Sequence, residues 1–253
     1  ASYAHLDVPD RKTPIVIPAY NGARQLPNLT PLFASLIARE GMPVLVHGVT
    51  SDPGRVTTHE IFAAMGIMPA RSREEAEQQL NERNLAFVPI DTLAPSLARV
   101  LALRREIGVR SSAHTLTKML QPFTSKAIRM VSVTHPDYLD RMRIFFSSYG
   151  SHALLLRGAE GEAVAHPRRE PHIEWVDGKT AEVWDAAPEE NPALPADRDA
   201  AVTASWIQDA LAGKNPVPAA LRHQVECALR ALSDCLVTGY WLLVTGYWLL
   251  VTG

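Results

Sequence analysis

The fold is decided by the stretch Ile15-Val-Ile-Pro-Ala-Tyr-Asn-Gly-Ala-Arg-Gln-Leu-Pro-Asn-Leu-Thr-Pro31, which continues to Val44-Leu-Val-His-Gly48. Its β-branched start predicts a buried parallel strand, followed by a loop of turn-forming residues with a single glycine, Gly22. Apolar residues at helical spacing over 32–38 predict a helix, and a second buried strand ends at His47-Gly48. Backbone N–H groups point outward where a loop leads from a strand to a helix, so this loop is the expected position of an anion such as phosphate.

The same order of elements recurs along the chain. Further strands are predicted at 85–90, 128–133 and 153–156. Helices are predicted from about 57 to 65 and over 72–84, 93–107, 136–149, 199–211 and 217–232. Residues 177–197 are rich in Pro, Asp, Glu and Ala, and predict a connection poor in strands. The alternation predicts an α/β fold, a mostly parallel sheet flanked by helices.

The charge is unevenly distributed. The 253 residues are 47% hydrophobic and 21% charged, as in ordinary globular proteins, and the net charge of −2 gives no overall attraction to nucleic acid. However, residues 99–143 contain nine basic and three acidic residues, and acidic residues dominate 160–199. This pattern indicates one positively charged face, and a solvated helix surface is the alternative.

The cysteines and the two ends of the chain give further expectations. Cys227 and Cys235 match neither a disulfide framework nor a zinc site, so they are interpreted as core thiols in a reducing, cytoplasmic compartment. Residues 1–14 are interpreted as a polar lead-in, the remnant of a missing upstream helical domain. Residues 15–235 form the predicted α/β domain.

The last residues, 236–253, form a repetitive apolar tail. Val237-Thr-Gly-Tyr-Trp-Leu-Leu recurs at once as Val244-Thr-Gly-Tyr-Trp-Leu-Leu, and a third copy begins at Val251. The uncharged tail passes the length screen for a membrane span, but Thr and Gly recur through it and no basic anchor follows it. We interpret it as a duplication or an assembly artefact, and we expect no membrane association.

Several segments resemble the large α/β domain of anthranilate phosphoribosyltransferase, over roughly residues 15–232. In that family a strand ending in His-Gly leads into a helix that ends in Leu-Gly. The corresponding residues here are His47-Gly48 and, at the helix end, Met65-Gly66. Arg104-Arg-Glu-Ile-Gly-Val-Arg-Ser111 is similar to the family segment Arg-Arg-Glu-Leu-Gly-Val-Arg-Thr. Glu160-Gly-Glu162 stands where the family has an acidic magnesium-binding turn. The resemblance implies membership of glycosyltransferase family 3, with the family's small helical domain missing.

The predicted anion loop departs from the family pattern. The family's Gly-Thr-Gly-Gly-Asp loop is replaced by one that keeps only Gly22 and adds Tyr20 and Arg24. Side chains obstruct the close approach of backbone to a pyrophosphate, and Arg24 offers a side-chain contact instead. Strings such as Ile17-Pro-Ala-Tyr-Asn-Gly-Ala-Arg24 and Val109-Arg-Ser-Ser-Ala-His-Thr-Leu116 resemble a divergent branch, the YbiB-type proteins, which keep the fold and bind DNA.

Two functions remain open from the sequence. The first is non-enzymatic, sequence-nonspecific binding of nucleic acid, with single-stranded or nonspecific DNA as partner and no cofactor. The second is a glycosyltransferase or phosphoribosyltransferase that acts on phosphoribosyl pyrophosphate with Mg²⁺ and an aromatic or nitrogenous acceptor. The resemblance also implies a homodimer for a full-length protein.

The candidate site residues share a position near the predicted cleft. Those expected to bind phosphate or nucleic acid are Tyr20, Asn21, Gly22, Arg24, His47, Gly48, Arg55, Arg104, Arg105, Arg110, His114 and Lys118. Glu160 and Glu162 are the candidate metal ligands, and no catalytic residue is assigned. Alternatives are packing of Tyr20 within its loop, pairing of Arg110 with Glu106, and a hydrogen-bonded place for His47 at the edge of the core.

Overall fold

The architecture is a seven-stranded sheet, seen in a computed structural model that describes residues 5–8, 12–109 and 111–237. The strands are β1 (Ile15–Ala19), β2 (Val44–Gly48), β3 (Leu85–Pro89), β4 (Ile128–Ser132), β5 (His152–Leu156), β6 (His172–Asp177) and β7 (Ala181–Asp185). Their order across the sheet is β3-β2-β1-β4-β5-β6-β7. The first five are parallel, and β6 and β7 are antiparallel additions. The predicted, mostly parallel α/β fold is confirmed.

Helices cover both faces of the sheet. They are α1 (Thr30–Arg39), α2 (Thr58–Ala64), α3 (Arg73–Arg83), α4 (Ile90–Leu93), α5 (Pro95–Ala102), α6 (Arg104–Ile107), α7 (Ala113–Leu116), α8 (Pro136–Ser148), α9 (Ala200–Leu211) and α10 (Ala219–Val237). Alternate residues of the central strands pack against α1, α2, α9 and α10 on one face, and against α3 and α8 on the other. Burial on both faces is why these strands are continuous apolar runs.

Local capping signals explain where several helices begin. Thr57 and Glu60 form a complete capping box at the start of α2, and the Ser72 side chain caps α3. Asp199 accepts two backbone N–H bonds at the start of α9. The predicted helices also begin at about residues 57, 72 and 199.

Two predictions about local structure are wrong. The helix predicted over 93–107 is instead divided among α4, α5 and α6, with a second break at Leu103. Pro95 separates α4 from α5, because it starts a new helix and lacks the N–H that would continue the previous one. The predicted strand-poor segment contains β7, which forms a hairpin with β6. The apolar tail at 238–253 and most of residues 1–11 lie outside the described residues. Within the described residues, no helix has the length and apolar character needed to cross a membrane.

Candidate functional site

The order of the strands places the candidate site at the carboxyl ends of β1 and β4. The chain moves outward in opposite directions from these two neighbouring strands, and the crevice at such a switch point is where open α/β sheets bind ligands. The loop after β1, residues 20–26, enters this crevice. The polypeptide after β5 reaches it from the other side through a short 3-10 turn, Ala159–Gly161.

The anion loop is already bound to two carboxylates of the chain. Glu162 is 2% exposed, and its Oε1 accepts hydrogen bonds from the backbone N–H groups of Asn21 and Gly22, both at 2.5 Å. Glu160 accepts the N–H groups of Arg24 at 2.7 Å and Gln25 at 2.9 Å. The predicted metal ligands therefore serve as acceptors for the loop that was predicted to hold phosphate.

Lys118 reinforces the contact between this loop and the turn. Its ammonium group donates to the carbonyl oxygens of Ser132 at 2.5 Å and Gly161 at 3.3 Å. The Asn21 side-chain amide donates to the same Gly161 oxygen at 2.6 Å. Lys118 thus links the end of β4 to the acidic turn, and its ammonium group is used in these internal hydrogen bonds.

Tyr20 and His47 form a buried pair beneath the loop. The Tyr20 hydroxyl lies 2.6 Å from His47 Nδ1, and the two residues are 3% and 1% exposed. Burial raises the pKa of Tyr20 well above its usual value, with Asp91 and Glu162 adding to the rise, and lowers the pKa of His47 to about 3. Both rings are therefore neutral near pH 7. Tyr20 is thus packed beneath its loop, and His47 occupies a hydrogen-bonded position at the edge of the core. These are the alternatives that the sequence left open for the two residues.

The buried imidazole should leave a signature in the pH dependence of stability. The folded pKa of about 3 lies below the ordinary value of 6.5, so between these limits the unfolded chain binds a proton that the folded chain does not. We expect the free energy of unfolding to fall by up to about 1.4 kcal/mol per pH unit as pH drops through this window. Urea unfolding from pH 7 to 4 should show a steeper fall for the natural chain than for His47→Gln. Parallel profiles for the two proteins would contradict the assignment.

A second set of arginines lies beside the loop. Arg55 donates from Nη1 to the carbonyl oxygens of Asn21 at 3.2 Å and Gly22 at 3.4 Å. Arg104 pairs with Asp52 at 2.8 Å, and the Asp52 side chain is only 9% exposed. Asp52 was not among the predicted site residues, and its contact depends on a partner 52 residues away. The guanidinium groups of Arg55 and Arg104 are therefore already engaged in contacts within the protein.

A cavity of about 570 Å³ opens next to these residues. It brings together four of the predicted site residues, Tyr20, Arg104, Arg105 and His114. The other lining residues include the 49–53 turn, Ile90, Asp91 and the apolar side of α5. Asp91 was not singled out from the sequence, because nothing nearby in the chain marks it as part of a site. The apolar part of the cavity is flanked by two carboxylates, Asp52 and Asp91, and by two arginines, Arg104 and Arg105.

The remaining basic residues among the site candidates differ in exposure. Arg24 and Arg105 are exposed, whereas His114 is half-buried, with Nδ1 3.3 Å from the Ser111 carbonyl oxygen. Arg99, on α5, is also exposed and was not among the predicted site residues. Gly48 is fully packed against β1, and Arg110 lies outside the described residues. The structure therefore separates exposed arginines from those committed to internal contacts.

The acidic turn does not fit a magnesium ion in this arrangement. Mg²⁺ binds through carboxylate oxygens with near-octahedral geometry, and the backbone N–H groups of the loop already occupy oxygens of both Glu160 and Glu162. Across the described part of the chain, no group of three or more His, Cys, Asp or Glu side chains is arranged to hold a metal.

Comparison with known protein sequences identifies relatives of this chain. No protein-family model matches it. It is 45% identical over 226 residues to the uncharacterized protein YbiB of Escherichia coli (strain K12), and the match covers 87% of this chain and 70% of YbiB. It is 28% identical over 135 residues to anthranilate phosphoribosyltransferase of Desulfitobacterium hafniense (strain Y51), covering 53% of this chain and 40% of that enzyme. The matched region thus spans less than half the length of that enzyme.

Solved structures show the same fold. Anthranilate phosphoribosyltransferase from Thermus thermophilus matches with a TM-score of 0.69 at 20% identity, covering 93% of this chain and 71% of that one. The Saccharomyces cerevisiae enzyme, in complex with PRPP and Mg, matches with a TM-score of 0.71 at 13% identity, covering 92% and 68%. At these identities the likeness concerns the fold alone.

Proposed function

The chain belongs to the anthranilate phosphoribosyltransferase-like family that includes YbiB, and from this premise we propose that it is a non-enzymatic protein that binds nucleic acid without sequence preference. The proposed partner is DNA, in single-stranded or other nonspecific form. The proposed contacts are with the phosphodiester backbone.

The observation that carries this proposal is the pair of exposed arginines on α5 and α6. Arg99 and Arg105 are both exposed, and Arg105 lines the 570 Å³ cavity. Neither makes an ion pair with another described residue, so their charges are available to a ligand. Neutralisation of phosphates by such side chains releases condensed counterions and needs no particular base sequence.

The loop supports this choice over a phosphoribosyl transfer. A transferase must hold the pyrophosphate of its donor, and the loop N–H groups suited to that purpose are bound to Glu160 and Glu162. Two carboxylates at that position also repel an incoming pyrophosphate. The exposed arginines lie outside this internal contact and remain accessible to a polyanion.

Calorimetry separates the two functions directly. The chain is titrated with a single-stranded oligonucleotide, and in a second titration with phosphoribosyl pyrophosphate in the presence of Mg²⁺. We expect saturable heat with the oligonucleotide and none with phosphoribosyl pyrophosphate. Saturable, metal-dependent binding of phosphoribosyl pyrophosphate, without binding of the oligonucleotide, would instead support the transferase.

A further inference from the structure

The carboxylates of the acidic turn occupy the anion loop as a bound anion would, by accepting hydrogen bonds from its backbone N–H groups. Four backbone N–H groups of one short loop, those of residues 21, 22, 24 and 25, donate to carboxylate oxygens at 2.9 Å or less. The N–H of Leu26 points to Glu160 at 3.4 Å. A run of outward-pointing amides is the typical protein site for a phosphate oxygen. Here the negative charges come from residues about 140 positions later in the chain.

The backbone of the acidic turn is strained at Glu160, the residue that contacts the loop. Glu160 has a φ of +51°, a left-handed conformation that costs a residue other than glycine roughly 1–3 kcal/mol. Gly161 follows at a φ of +87°, and a Cβ there would lie 2.7 Å from Asn21 Nδ2. The positive φ and this short distance both favour a glycine where the turn approaches the loop. The hydrogen bonds that Glu160 and Glu162 accept from the loop N–H groups offset this strain.

The arrangement implies competition between the turn and any external anion. Pyrophosphate would need the same N–H groups, and it would meet two negative charges at hydrogen-bonding distance from them. Asn21 and Lys118 hold the turn in place through the Gly161 carbonyl oxygen. Displacing the turn therefore breaks several hydrogen bonds at once.

We propose that Glu160 and Glu162 form an autoinhibitory contact, an internal anion that keeps the loop closed to phosphate, and that removing their charges lets the loop bind pyrophosphate. This contact is independent of nucleic-acid binding, which we assign to exposed arginines on α5 and α6. The two proposals can therefore fail separately.

The test compares binding of inorganic pyrophosphate, without added metal, to the natural chain and to Glu160→Gln/Glu162→Gln. We expect the affinity of the double variant to exceed that of the natural chain by at least about tenfold, because two like charges have left the site. In ¹⁵N-resolved NMR spectra, the amide signals of Gly22 and Gln25 should shift on binding to the variant. Signals at the exposed arginines should not follow the same titration.

Two further variants keep the test decisive. Glu106→Gln/Glu170→Gln removes the same charge from exposed positions outside the turn and should bind pyrophosphate as the natural chain does. Glu160→Gly suits the left-handed backbone, so it removes a carboxylate even if the double variant fails to fold, and it should also bind more tightly than the natural chain. The proposal is overturned if the folded turn variants bind no better than the control, or if tighter binding leaves the Gly22 and Gln25 amides unmoved.

Discussion

Reversing the two exposed arginines, in Arg99→Glu/Arg105→Glu, is expected to weaken binding of a single-stranded oligonucleotide by at least about 30-fold at 0.1 M salt. Each change removes a cation that is proposed to contact phosphate and adds a charge that repels phosphate. The slope of the logarithm of affinity against the logarithm of salt concentration should fall in magnitude by roughly two, one for each lost contact. Fluorescence anisotropy with an end-labelled oligonucleotide measures both quantities.

The matched control is Lys126→Glu/Lys179→Glu, which makes the same change in net charge. Both lysines are exposed and lie at the opposite end of the strands, Lys126 just before β4 and Lys179 in the turn between β6 and β7. The control should lose no more than about threefold in affinity, since only the long-range field changes. Equal losses in the two double variants would show that the α5–α6 surface is not the binding site.

Gly48→Ala is expected to lower the free energy of unfolding by at least about 3 kcal/mol. Gly48 ends β2 beside Ala19 of β1, and a Cβ at this position would lie 1.9 Å from the Ala19 carbonyl oxygen. That oxygen belongs to backbone in the middle of the sheet and cannot move away without separating the strands. For a chain of this size we expect the Tm to fall by roughly 6–12 °C, measured by thermal unfolding.

Gly108→Ala is the control for a change at a glycine without steric conflict. Gly108 has a φ of +73°, and a Cβ added to it would have no atom within 4 Å, so only the left-handed backbone opposes the substitution. Its cost should stay near 1–2 kcal/mol. If Gly48→Ala proves no more harmful than Gly108→Ala, the close packing of β1 against β2 is not as described.

Much of the fold could be predicted because local and long-range preferences agree. The parallel strands are buried on both faces, so each is an apolar run that stands out from its surroundings. β6 was not predicted either, because Glu174 interrupts its short apolar run. β7 was missed because it is an edge strand with one buried side chain, Trp184, and its exposed residues resemble those of a loop. The pair Asp177-Gly178 at the start of its turn is a hairpin signal that could have identified it.

The position of the site was predictable, but the contacts of its side chains were not. A loop after a buried strand marks an anion site by geometry alone, whereas the choice of anion depends on Glu162, which is 141 residues from Asn21 in sequence. Likewise, Lys118 was predicted to bind phosphate or nucleic acid, yet its ammonium group donates to the carbonyl oxygens of Ser132 and Gly161. No local pattern reveals whether a charged side chain finds a partner inside the fold.

Binding of nucleic acid through its phosphates should be visible in the salt dependence of oligonucleotide binding to the natural chain. Anisotropy titrations of one labelled single-stranded oligonucleotide are made at several salt concentrations between about 0.05 and 0.2 M, a range over which phosphate contacts lose much of their strength. Binding through phosphates predicts that affinity falls by at least about tenfold across this range and is similar for oligonucleotides of different sequence. An affinity that stays flat with salt, or no binding at the lowest salt, would contradict it.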